Sequence, residues 1–421
     1  MEFNVGKREK PSSVLLEKQR ETLVKSVEFA TERGRDEGLY ERGAEAEPAA
    51  PGVGRWGAEW PTDRAATRPT RCRARAGAPR RPLELSLPRH EELATRAEAA
   101  LRRLLVTDNY DSVSNFISLY EAFERGAAPL YEVYERYAPP IRARKHTCVG
   151  LGLELMRRWR DLERDFSGVN RATALLSCEE AVVDVREYVT SGESPASVES
   201  AEKEHVMAGI QIRVDGRPGV MLADPGYHVP RVVTVMQDRN YPHTGWFVQS
   251  DEPQCRKEYD YTFSVLNPGY IEWHERETRG EAVKNQTSLV YAARPYLDGV
   301  NVTERRNLVY NFRSLLSRDQ KGHLTAGLYF PVGARGKDAQ FTLFLNNGPD
   351  KRKTKYKFST FQDPQNIPEP IAEEIELCNA KMNYKQGELL GIICKLAEIM
   401  DNQSFIDQML EINEDICRMC L

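Results

Sequence analysis

Over residues 204–228 apolar and polar positions alternate. Ile210, Ile212 and Val214 fall at period two, the chain breaks at Asp215-Gly216-Arg217-Pro218-Gly219, and it resumes through Val220 and Leu222 to Asp224. Period two marks a half-buried strand, and a Gly/Pro cluster between two such runs marks a hairpin. Further strands are predicted at 229–235, 245–250, 259–266, 289–293, 308–314, 323–331 and 340–345. Lys351–Lys357 reads as a basic, solvated edge. Upstream the spacing turns helical. Val14, Leu15, Leu23, Val24 and Val27 predict a solvated helix within 12–40, and 88–137 is helical from Pro88 onward. After Pro139-Pro140, Thr147 is placed to cap a helix beginning at Cys148. Val149, Leu151, Leu153, Leu155, Met156 and Trp159 make that helix apolar over most of its surface, hence buried. A second helix is predicted over 178–188. From residue 368 helical spacing returns through Ile371, Ile375, Leu389, Leu390, Ile393, Leu396 and Ile399.

Composition changes this picture at one place. Residues 41–87, and 41–82 most clearly, are dominated by Ala, Gly, Pro and Arg and lack apolar periodicity. Such a segment cannot bury enough apolar surface to offset chain entropy, so it is expected to be a disordered linker. Four regions follow: an N-terminal helical extension (1–40), the linker (41–87), a catalytic domain (88–345, helical over 88–190 and β over 204–345), and a C-terminal linker with helices (346–421). The net charge of -4 does not point to nucleic acid as a partner. No run approaches the roughly 18 apolar residues of a membrane span. The first ten residues, MEFNVGKREK, have no apolar core behind them, so a cytoplasmic protein with eight reduced cysteines is expected.

The hairpin carries the candidate chemistry. Folding it returns Asp224 to the end where His205 opens the first strand. An aspartate beside a histidine fixes its tautomer and stabilises the imidazolium. The nucleophile for such a pair is Cys148. A helix start, Arg144 and Lys145 nearby, and a histidine acceptor would each lower its pKa, and backbone N–H groups at the helix start could hold an oxyanion. The alternative is an inert buried cysteine with His205 and Asp224 nearby by chance. His146 and His228 compete for the histidine role; His228 is expected at the rim. No spacing resembles common zinc ligands. Tyr227, Trp246, Tyr259 and Tyr261 are either an aromatic pocket or plain core.

The order of these parts resembles the arylamine N-acetyltransferase family, within the transglutaminase- and papain-like group of cysteine enzymes. That order is a helical part, a cysteine at a helix start, a histidine opening a strand, and Asp224-Pro225-Gly226-Tyr227 closing the hairpin. Arg144 matches the family's arginine four residues before the nucleophile. Trp246-Phe247-Val248-Gln249 and the strand through Tyr259 and Phe263 also look alike. The likeness covers about 88–345. It departs at Lys145-His146-Thr147, where the family has Gly-Gly-x, and at Gly150 and Gly152 after the cysteine.

The resemblance implies an α+β, papain-like fold: an N-terminal helical part, an antiparallel sheet or barrel, and C-terminal helices. It implies a Cys148-His205-Asp224 triad, with Arg144, Gly226, Tyr227 and Trp246 facing substrate. Acetyl-CoA would be the acyl donor and an arylamine or other small amine the acceptor. Two other readings stand beside it: a transglutaminase-like peptide amidase or transamidase, and a non-catalytic interaction protein whose termini bind partner proteins.

Overall fold

The computed structural model describes residues 81–142, 145–191, 202–252, 255–333, 339–346, 348 and 351–419. The helix expected over 12–40 and nearly all of the expected linker lie outside them. Within the linker range, Leu83–Leu85 forms a short strand, β1.

The hairpin is the centre of the larger sheet. Its strands are β4 (Glu202–Val214) and β5 (Arg217–Ala223). Val214 opposes Arg217, so the turn is only Asp215 and Gly216, at φ 49° and 77°. Two consecutive left-handed residues give the turn whose twist matches that of a hairpin, and glycine enters that region without a Cβ clash. On its other side β4 pairs with β3 (Thr173–Glu180) antiparallel and, further along, with β1 in parallel. Beyond these lie β6 (Val233–Met236), β7 (Phe247–Glu252), β8 (Cys255–Phe263), β9 (Tyr270–Arg279) and β10 (Ala282–Tyr291). The strand order is β6-β5-β4-β3-β10-β9-β8-β7, and the sheet curls until β6 approaches β8. Met207, Leu222, Val235, Tyr259, Tyr261, Trp273 and Val290 fill the curl.

Helices α1 (Leu87–Thr107), α2 (Val113–Arg125), α3 (Leu130–Arg136) and α4 (Cys148–Trp159) precede β3. Two of them, α1 and α4, cover the outer face of β4 and β5. Leu93, Leu101, Leu104, Leu151, Leu155 and Trp159 pack there on Ala208, Ile210, Ile212 and Met221. Gly152 lets α4 pass close to β3: a β-carbon on it would stand 2.7 Å from Leu175 Cδ2, which would have to move aside. The short helix α5 (Val185–Ser191) follows β3.

A second sheet, β14-β13-β12-β11-β2, is built from β2 (Tyr110–Asp111), β11 (Phe312–Arg318), β12 (Leu324–Pro331), β13 (Gln340–Asn346) and β14 (Lys351–Lys357). The helices α6 (Glu369–Lys381), α7 (Glu388–Asp401) and α8 (Gln403–Met419) close over it with α2. Phe116, Leu328, Phe330, Phe341, Ile375, Leu389, Ile393, Leu396 and Phe405 share that core. The expected basic edge is there: β14 ends the sheet, with Lys353, Lys355 and Lys357 exposed. The fold is α+β, a curled antiparallel sheet with helices outside it and at the C-terminal end. No described helix is long and apolar enough to cross a membrane.

Several expected elements differ. The helix expected over 178–188 is strand as far as Glu180. A short apolar run such as Ala174-Leu175-Leu176 suits a buried strand or helix equally, and pairing with β4 decides it. The strand expected at 229–235 begins at Val233, after Pro230, which has no N–H to give a ladder. Residues expected to open a strand at 308 finish a short helix, Arg305–Val309, and β11 starts at Phe312. The unforeseen β9 is highly charged because Lys257 on β8 supplies its partners: Glu275 at 2.7 Å and Glu277 at 3.3 Å.

Candidate active site

Cys148 is the first residue of α4, and His205 stands near the start of β4. Asp224 follows the last residue of β5. The hairpin register carries Asp224 back to His205, and His205 Nε2 lies 2.9 Å from Asp224 Oδ2. The other carboxylate oxygen, Oδ1, accepts from the Tyr227 backbone N–H at 2.9 Å. Asp224 is thereby fixed from both sides. With Nε2 engaged, Nδ1 is the ring nitrogen left to meet a thiol. The Cys148 thiol and the His205 ring are hydrogen-bonded to each other. All three residues are buried, at 4%, 3% and 3% exposure.

Gly226 is wedged between them. A β-carbon there would lie 2.8 Å from Cys148 Cβ and 2.9 Å from His205 Cε1. Those are distances that real β-carbons do not adopt, so the close approach of cysteine and histidine requires glycine at this position. Tyr227 sets its ring edge-on to His205, with centroids 4.6 Å apart, and continues to Trp273 at 5.5 Å. Val149, Leu175 and Val206 surround the thiol, and Tyr296 and Val300 pack over this cluster.

Burial pushes the Cys148 thiol up from its ordinary value, and Glu304 adds to the rise. The hydrogen bond and charge of His205 and a bond from the Val206 backbone pull it back only in part. The expectation of a depressed resting thiol is therefore corrected: desolvation outweighs a helix start and cations nearby in sequence. For His205 the balance runs the other way. Burial lowers its pKa, but the charge and hydrogen bond of Asp224, reinforced by Cys148, hold it well above the ordinary histidine value. Asp224 thus makes the ring a strong acceptor for the thiol's proton. Such a cluster can take a proton from the thiol and return it, and it titrates as a unit rather than as separate residues.

Of the other residues singled out in the sequence, Gly226 and Tyr227 join this cluster. Trp246 stands just before β7, 46% exposed, with Arg276 stacked on its ring at 4.4 Å. Tyr259 and Tyr261 are core, packed on Trp273. Arg144 lies outside the described residues. His146 is buried against α4, where a β-carbon on Gly150 would stand 2.4 Å from its Nδ1; that contact accounts for the glycine. Burial drives the pKa of His146 down to about 4, so its ring is neutral. His228 is buried rather than at the rim, with Nδ1 2.6 Å from the Gly226 carbonyl.

One residue of this neighbourhood carried no signal in the sequence. Glu304 ends an irregular helical turn, Val300–Glu304, and is fully buried. It accepts hydrogen bonds from the Thr147 hydroxyl and the Asn115 amide. Burial raises its carboxyl from 4.5 to about 7, despite both hydrogen bonds. The folded state therefore keeps a proton that the unfolded chain has released. This contribution to stability is complete below about pH 4.5 and disappears as pH rises through about 7. Glu304→Gln cannot ionise. Its stability relative to wild type should rise between pH 5 and pH 8, by up to about 3 kcal/mol in urea unfolding. A difference that stays constant with pH would show that Glu304 is already ionised in the fold.

No family model matches the sequence, and no curated protein matches it. Among solved structures, the arylamine N-acetyltransferase of Nocardia farcinica is similar at a TM-score of 0.33 and 14% sequence identity, over 71% of this chain and 89% of that one.

Proposed function

We propose that the protein is an acyltransferase that carries its acyl group as a thioester on Cys148. The observation that supports this reading is the convergence of a helix-start thiol with an imidazole that a buried aspartate orients. In the first half-reaction Cys148 gives its proton to His205 as its sulfur attacks the carbonyl carbon of an acyl thioester. The donor's thiolate leaves and takes the proton back from His205. In the second, an amine attacks the Cys148 thioester, its proton passes to His205 and from there to the departing Cys148 sulfur. Asp224 orients the ring and stabilises the imidazolium that forms.

The burial of the thiol beneath Tyr296 and Val300 favours small reactants over a peptide chain. That supports acyl transfer to a small amine above peptide transamidation. Acetyl-CoA as donor and an arylamine or hydrazine as acceptor rest on the motif order alone. The test is intact mass after incubation with acetyl-CoA. Wild type should gain one acetyl group, lose it on addition of an arylamine, and Cys148→Ala should gain none. Acetylation that persists in Cys148→Ala, or no acetylation of wild type, counts against the reading.

A further inference from the structure

Thr147 holds the N-cap position of α4, directly before Cys148, with an extended backbone. A threonine there ordinarily accepts a hydrogen bond from a first-turn backbone N–H. Here it makes no such side-chain bond. Its hydroxyl donates instead to Glu304 Oε2, while Glu304 Oε1 accepts from Asn115. Thr147 and Asn115 are buried and Glu304 is fully so, which keeps water from competing for either bond. One carboxyl thus ties three segments together: α2 through Asn115, the start of α4 through Thr147, and the irregular turn that ends at Glu304.

The first N–H groups of a helix have no partner within it. A side-chain cap would occupy one of them. We propose that Glu304 is a positioning residue for Cys148: it draws the Thr147 hydroxyl out of the capping role, leaving the first-turn N–H groups of α4 to the carbonyl oxygen of an acyl group on the Cys148 sulfur. This rests on the acyl-transfer reading above. No bond is made or broken at Glu304. The charged groups facing it are Asp111 on β2, which opposes its ionisation, and Arg313 on β11, which favours it; Tyr110 and Cys148 feel its charge in turn.

The prediction separates two reactions of one sulfur. Acyl loading passes through a tetrahedral oxyanion; alkylation by iodoacetamide does not. Glu304→Ala frees the Thr147 hydroxyl to cap the first turn. Its rate of acetyl loading should fall about 10-fold or more, with the alkylation rate of Cys148 within about 3-fold of wild type. Thr147→Val nearly keeps the shape and has no hydroxyl to cap with, so it should load within about 3-fold of wild type. The Thr147→Val/Glu304→Ala double variant should recover most of the loading that Glu304→Ala loses, because no cap can form in it. Glu304→Leu is the second variant should alanine unfold the turn. Equal loss of loading and alkylation in Glu304→Ala, or a double variant that loads no better than Glu304→Ala, would reduce Glu304 to a fold-holding residue and overturn the proposal. A wild type that takes no acetyl group would remove the acyl-transfer reading itself, and this inference with it.

Discussion

Asp224→Asn is expected to lower acyl transfer by about two to four orders of magnitude while leaving the fold intact. The two oxygens of Asp224 have separate duties. Oδ2 meets His205 Nε2 and Oδ1 meets the Tyr227 N–H, both at 2.9 Å. An asparagine has one acceptor oxygen for these two partners. If it keeps the Tyr227 turn, its NH2 group faces Nε2 and requires an acceptor there, which moves the ring proton to Nδ1, the nitrogen that should receive the thiol's proton. If it keeps His205, the turn loses its anchor. In either case the negative charge that lifts His205 is gone. The measurement is the rate of acyl loading and its pH profile. The apparent histidine pKa in that profile should fall toward the ordinary value of about 6.5. A profile that does not move would mean that Asp224 holds the loop and nothing more.

Gly226→Ala should be nearly as costly, for a steric reason. The added methyl would stand under 3 Å from both Cys148 Cβ and His205 Cε1. One of the two has to retreat. A displacement of about 1 Å at a reacting centre costs on the order of 100-fold in rate, and overpacking of this kind destabilises by about 1–3 kcal/mol. Loading, Cys148 alkylation and thermal unfolding should all be impaired. Gly216→Ala is the control: a β-carbon there meets nothing within 4 Å, so only the strain of its φ of 77° enters, far from the thiol. If both variants load alike, the wedge at Gly226 is not what holds the cluster.

How much of this could be read from the chain varies with the kind of contact. The hairpin was legible because Ile210, Ile212 and Val214 alternate up to an Asp-Gly turn, and those signals are local. The placing of Cys148 at a helix start was legible from Thr147 and the apolar run behind it. The meaning of Thr147 was not, because its hydroxyl goes to Glu304, remote in sequence, rather than to its own helix. Glu304 itself lies in the polar, charged run Asn301-Val302-Thr303-Glu304-Arg305-Arg306, which carries no burial signal; only the fold buries it. Gly150 and Gly152 stood as departures from the family's pattern and Gly226 as a substrate-facing residue; each is explained by a side chain that needs the space, His146, Leu175 and the Cys148–His205 pair respectively. The rise in the Cys148 pKa escaped for the same reason. Lys145 is close along the chain, but desolvation depends on β3, β4 and the segment through Tyr296 folding over the thiol. β9 was missed because its inner-face positions after Ile271 and Trp273 are Glu275 and Glu277, charges that only Lys257 on β8 accounts for.

The central claim is that His205 activates Cys148, and site-resolved alkylation tests it most directly. Iodoacetamide labelling at pH 6, read by peptide mass spectrometry, isolates the effect, since an unperturbed thiol near 8.5 is under roughly 1% thiolate there. Cys178 is the internal control. It lies opposite His205 on β3, fully buried, with burial and the charges of Glu180 and Asp224 holding its thiol well above the ordinary value. Cys148 should label faster than Cys178 in wild type, and His205→Ala should slow Cys148 by at least about 10-fold while leaving Cys178 unchanged. A His205→Ala protein that remains folded and labels Cys148 at the wild-type rate would contradict the account.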